Sequence, residues 1–64
     1  MLTWEDTFLI AKKLKQQRPG INIEDVSLGM VYSWTIDLPD FLDDIELVNE
    51  SILMAIFLEW LEEV

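Results

Sequence analysis

Apolar positions along this chain fall into three blocks, separated by Pro19-Gly20 and by Pro39. In the first block Trp4, Phe8, Ile10 and Leu14 recur near helical spacing, which predicts a helix over residues 5–17 with these side chains on its buried face. Thr3 with Asp6 fits a capping box at its start. Lys15 and Arg18 stand in the last turn, where positive charge complements the helix dipole, and Pro19-Gly20 ends the helix. The stretch 21–26 reads as a loop with a short helical turn, Asn22 as its cap and Asp25 in the capping-box position; a short strand is the alternative.

In the second block Met30 or Val31, Trp34 and Leu38 recur three or four apart. That spacing predicts a helix over residues 28–38 with Ser33 and Asp37 outward. Gly29 weakens this helix, and the run 31–36 would also suit a strand. Pro39 stops it, because proline disfavours α geometry in the residue before it. Residues 40–44 form a turn-rich acidic loop. The last helix starts between Asp44 and Asn49, either of which suits a cap, and runs to about residue 63. Ile52, Leu53, Ile56 and Trp60 make its main stripe. Met54, Leu58 and Leu61 lie to the other side, so this helix is either central to the core or partly a docking surface. The expected class is a small all-α domain, and 64 residues allow only one.

Composition narrows the chemistry. There is no Cys and no His, so disulfides, thiolate nucleophiles, the commonest zinc sites and the commonest general base are all excluded. Glycosidase-type catalysis by paired carboxylates needs a cleft that so short a chain scarcely offers. Gly20 and Gly29 are the only glycines, so there is no phosphate-cradling loop. No enzyme is expected. The longest apolar run, 52–58, is far short of the ~20 residues of a membrane span. The first residues are acidic where a secretory signal would be basic, which makes the expected location cytoplasmic.

Charge changes the picture most. The net charge is -9, and all four bases, Lys12, Lys13, Lys15 and Arg18, lie within seven residues. Beyond Arg18 there are eleven acids and no Lys or Arg. Nucleic acid should be repelled by such a field; a cation or a basic protein surface should be attracted. The plainer alternative is that acidity only keeps a small apolar domain soluble. Asp37, Asp40, Asp43, Asp44, Glu46 and Glu50 concentrate six carboxylates within fourteen residues. Their mutual repulsion is relieved by a partner's Lys and Arg, or by an oxygen-seeking cation. The spacing is not that of a calcium loop. The tryptophans sit on apolar stripes, which makes them core residues rather than base-stacking platforms.

One longer pattern emerges from these positions. Trp4, Ile10, Leu14, Pro19 and Val26 are followed by Trp34, Asp37-Leu38, Asp40-Phe41 and Asp43-Asp44; Asn49-Glu50, Ile52-Leu53, Ala55-Ile56, Trp60-Leu61 and Glu63 complete it. The chain resembles the IscX (YfhJ) family, small acidic proteins of bacterial iron–sulfur cluster assembly. The resemblance implies a variant of the winged helix. It implies docking on a cysteine desulfurase of the IscS type, near the surface used by bacterial frataxin, to tune sulfur transfer. It also implies weak ferrous-iron binding through surface carboxylates, hence an iron-donor or iron-sensing role.

Carried onto this sequence, the positions the resemblance implies are Asp37, Asp40, Asp43, Asp44 and Glu50; the charge cluster adds Glu46 to the expected partner-binding residues, and Trp34 and Phe41 are expected to brace the segment from beneath. Asp40, Asp43 and Asp44 are the metal candidates. No tightly bound cofactor is expected; a ferredoxin or iron is a further partner, and self-association would use Met54, Leu58 and Leu61. The chain also departs from the family pattern. Lys12, Lys13, Lys15 and Arg18 replace acids usual in the first helix. Met30, Ile45 and Met54 stand where Asp, Pro and Glu are frequent.

Overall fold

The computed structural model describes residues 1–63. Three helices are present: α1 (Thr7–Gln17), α2 (Leu28–Ile36) and α3 (Glu50–Glu63), with short 3-10 turns at Ile23–Asp25 and Ile45–Leu47. The class is all-α, as expected. A two-stranded wing does not form among the described residues. Leu2 and Phe41 make one isolated parallel bridge, through Leu2 N–H donating to the Asp40 carbonyl (2.8 Å) and Leu42 N–H to the Leu2 carbonyl (2.9 Å).

α1 begins two residues later than the spacing predicts. The Asp6 carboxylate accepts from the Thr3 N–H at 3.0 Å, and Asp6 N–H donates to the Thr3 carbonyl at 3.0 Å. Residues 3–6 therefore close a turn of their own, and Asp6 caps α1 without a side-chain bond to it. Trp4 is released from helical geometry and points into the core, 3% exposed. The inward face of α1 is Ile10, Ala11 and Leu14. Phe8 does not belong to it: at 100° per residue it falls roughly a third of a turn off that seam, and it is 46% exposed.

Asn22 caps the first 3-10 turn, its Oδ1 accepting from Glu24 N–H at 3.1 Å. Ile23 and Val26 from this region reach the core, and the strand alternative is not adopted. α2 is capped by Ser27, whose Oγ accepts from Met30 N–H at 3.2 Å while the Met30 Sδ accepts from Ser27 N–H at 3.4 Å. The helix ends at Ile36, two residues earlier than the spacing predicts, and Leu38 N–H closes back onto the Thr35 carbonyl. Its inward residues are Val31 and Thr35. The Thr35 hydroxyl is buried and donates to the Val31 carbonyl at 2.7 Å, which removes the cost of burying it.

Both proposed caps near the last helix exist, each on a different element. The Asp44 carboxylate accepts from Glu46 N–H at the 3-10 turn (2.9 Å), and Asn49 Oδ1 accepts from Ile52 N–H at the start of α3 (2.9 Å). α3 packs mainly along α1 and also on α2. Ile56 and Trp60 are fully inside, with Ile52, Leu53 and Phe57 packed at the margin.

Candidate partner-docking site

The six candidate carboxylates lie along one irregular stretch between the end of α2 and the first turn of α3. That stretch is anchored from below by the N-terminal residues. Trp4 does most of the anchoring. Its backbone N–H donates to Asp43 Oδ2 at 3.0 Å and its indole Nε1–H to the Asp44 carbonyl at 2.8 Å. A buried indole is amphipathic and takes such an acceptor wherever one is offered. The Trp4 ring stacks near-parallel with Tyr32 at 6.2 Å and meets Phe41 edge-on at 4.6 Å. Phe41, 8% exposed, does brace the segment. Trp34 does not share that contact: its ring lies 6.1 Å from Trp60 and beneath the Arg18 guanidinium at 4.2 Å. The tryptophan under the acidic segment is Trp4.

The carboxylates have different situations. Asp37, the C-cap of α2, is exposed, as are Glu46 and Glu50. Asp44 is exposed and spends one oxygen on its cap. Asp43 is half-buried, with Oδ2 taken by Trp4 and Oδ1 accepting from Asp44 N–H at 2.8 Å. Asp40 is exposed but paired with Lys13 at 3.0 Å. The Lys13 hydrogen bond, and then its charge, hold the Asp40 carboxyl below the ordinary carboxylate range. Leu42, Ile45 and Leu47 stand between these acids at 65%, 46% and 64% exposure. The surface is therefore a mixture of carboxylates and apolar side chains.

Asp40, Asp43 and Asp44 do not converge. Among the described residues no group of three or more carboxylates is placed to hold a metal ion. The hollow beside Asp40, lined by Lys13, Gln16, Gln17, Leu38, Pro39 and Asp40, encloses about 100 Å³. That is well below the ~300 Å³ at which small-molecule sites begin. No described helix is long and apolar enough to cross a membrane.

Two participants escaped the sequence reading. One is Trp4 as the anchor of the segment; the signal was the alternation Leu2-Thr3-Trp4, a period of two rather than a helical one. The other is Lys13 as counter-charge to Asp40, hidden because the bases read as a helix terminus.

A family model described as iron-sulphur cluster assembly matches residues 2–64. The chain belongs to the IscX (YfhJ) family. An uncharacterized protein of Pseudomonas aeruginosa is 34% identical over 62 residues, covering 97% of this chain and 94% of the relative. Membership in the IscX family places the chain in iron–sulfur cluster assembly and suggests an accessory part in it rather than a catalytic one.

Proposed function

We propose that this IscX-family protein is a cytoplasmic adaptor that docks on a cysteine desulfurase of the IscS type and regulates it. The contact is the segment 37–50. The observation that carries the proposal is the combination found there. Asp37, Asp44, Glu46 and Glu50 are exposed on a backbone held in place by the Leu2 bridge and the two Trp4 hydrogen bonds. A pre-ordered segment loses less conformational entropy on binding than a mobile one. Its charge steers a basic partner, while Leu42, Ile45 and Leu47 supply apolar contact at the centre.

The test is calorimetry of the desulfurase with Asp37→Lys/Glu46→Lys. Both side chains are exposed, so reversal should leave helix content intact. Reversing two interfacial charges should weaken binding by at least about 100-fold, and binding to the unaltered chain should fall as salt rises. Unchanged affinity in the variant overturns the proposal.

Weak ferrous binding by Asp40, Asp43 and Asp44, for iron donation or sensing, is the rival reading. A cation would have to compete with Lys13 for Asp40 and with two backbone N–H groups for Asp43. A ferrous titration of the isolated chain separates the two. Saturable low-micromolar binding lost in Asp40→Asn/Asp44→Asn would favour iron.

A further inference from the structure

α3 carries an apolar row on the side away from the core. Met54, Leu58 and Leu61 are 41%, 49% and 40% exposed, whereas Ile56 and Trp60 are 0% and 2% exposed. Their spacing of four and then three places them in one line, about 10 Å long, along the outward face of the helix. The fold does not need them there. The inward face is already filled by Ile52, Leu53, Ile56, Phe57 and Trp60. Three large apolar side chains in line on a solvent-facing helix are the mark of an interaction surface rather than of scattered surface residues.

Carboxylates frame this row. Glu50 stands at its N-terminal end, bordering an open hollow with Ser51 and Met54, and exposed Glu62 stands at its C-terminal end. Every charged residue of α3 is acidic, and no Lys or Arg occurs beyond Arg18. We infer that this face seats an amphipathic helix of another protein, one whose apolar row is flanked by Lys or Arg. An apolar centre with a charged rim is the usual anatomy of a protein interface, and the charges that α3 itself contributes here are of one sign only.

Charge also argues against a second copy as occupant. Pairing two α3 faces would bring the Glu50 and Glu62 of each chain together with no base from either helix, between molecules that each carry -9. The self-association expected from the sequence is therefore disfavoured by the very helix that suggested it. The inference does not depend on the desulfurase reading. Glu50 is the one residue at which the two surfaces meet.

The test uses the full chain, labelled with nitrogen-15, and a synthetic helical peptide. The peptide has Leu at alternating third and fourth positions and Lys elsewhere; a second peptide replaces every Lys by Glu. The Lys peptide should shift amides within 51–62 saturably, and the Glu peptide should not. Met54→Ser/Leu58→Ser should weaken the Lys peptide by at least about tenfold. Both positions lie outside the packed core, so the variant should keep the helical dichroism of the parent, and its melting, lowered modestly by the poorer helix propensity of Ser, should still show a folded chain at the titration temperature. The inference fails if shifts are confined to 37–50, if both peptides bind alike, or if the variant binds like the parent. It also fails if the parent sediments as a dimer that the variant dissociates.

Discussion

Replacing Asp43 tests whether the acidic segment is built as described. Asp43→Ala removes the acceptor of the Trp4 backbone N–H (3.0 Å) and of the Asp44 N–H (2.8 Å). The two losses differ in weight. Asp44 is exposed, so water replaces its partner at little cost. Trp4 is 3% exposed, and its N–H loses a charge-assisted bond with poor access to solvent. Such a bond contributes roughly 1.5–3 kcal/mol, and the half-burial of Asp43 favours the lower end. Relief of repulsion in a chain of charge -9 offsets a few tenths of this, and ~0.5 M salt removes that offset by screening.

The expected net loss is about 1.5 kcal/mol, or a fall in Tm of roughly 6–12 °C for a domain of this size. Asp43→Asn keeps an acceptor without the charge and should lose about half as much. Urea unfolding followed by tryptophan fluorescence, at low and at ~0.5 M salt, measures both variants. A loss below ~0.5 kcal/mol for Asp43→Ala at the higher salt would refute the claim that Asp43 anchors the segment. So would an intact stability accompanied by lost desulfurase binding, since Asp43 would then act as a contact and not as a support.

Two further outcomes follow from the same geometry. Because Lys13 lowers the Asp40 pKa from the ordinary 3.8, the pair's contribution to stability is fully present above about pH 4 and is lost as pH falls through the lowered folded value. Lys13→Met should raise the Asp40 midpoint toward 3.8 in a carbon-13 NMR titration, and an unmoved midpoint would show that the pair does not persist in solution. Gly29 lies near the start of α2 with only Ser27 Oγ, at 3.8 Å, near an added Cβ. Gly29→Ala should therefore stabilise by about 0.5 kcal/mol in urea unfolding, and a destabilised variant would contradict the open surroundings of Gly29.

The helices were legible because their stripes are built from large apolar residues at regular spacing. Ile52, Leu53, Ile56 and Trp60 identified α3 and its inward face, and Pro39 marked the end of α2 to within two residues. Phe8 and Trp4 misled for different reasons. The turn at residues 3–6 lets Trp4 enter the core from a non-helical backbone, whereas Phe8 lies within α1 but off the seam of Ile10, Ala11 and Leu14 and faces out. The six carboxylates were visible as a cluster. Their division into exposed acids, a lysine-paired Asp40 and a structural Asp43 depends on partners 27 to 39 residues away in the chain (Asp40 with Lys13, Asp43 with Trp4), which no local pattern encodes.

The two Trp4 hydrogen bonds join residues 39 and 40 positions apart. Closing a loop of that length costs on the order of 3 kcal/mol of chain entropy beyond a constant, and helix formation elsewhere in the chain is local and much faster. The three helices can thus form while the acidic segment is still unclosed. Held by the Leu2 bridge and the two Trp4 hydrogen bonds rather than by helix packing, the segment should be among the first regions to open under native conditions. Amide exchange at Trp4 and Leu42, whose N–H groups close the loop, would then run faster than at Ile56 or Trp60 and would report how often the acidic segment is open.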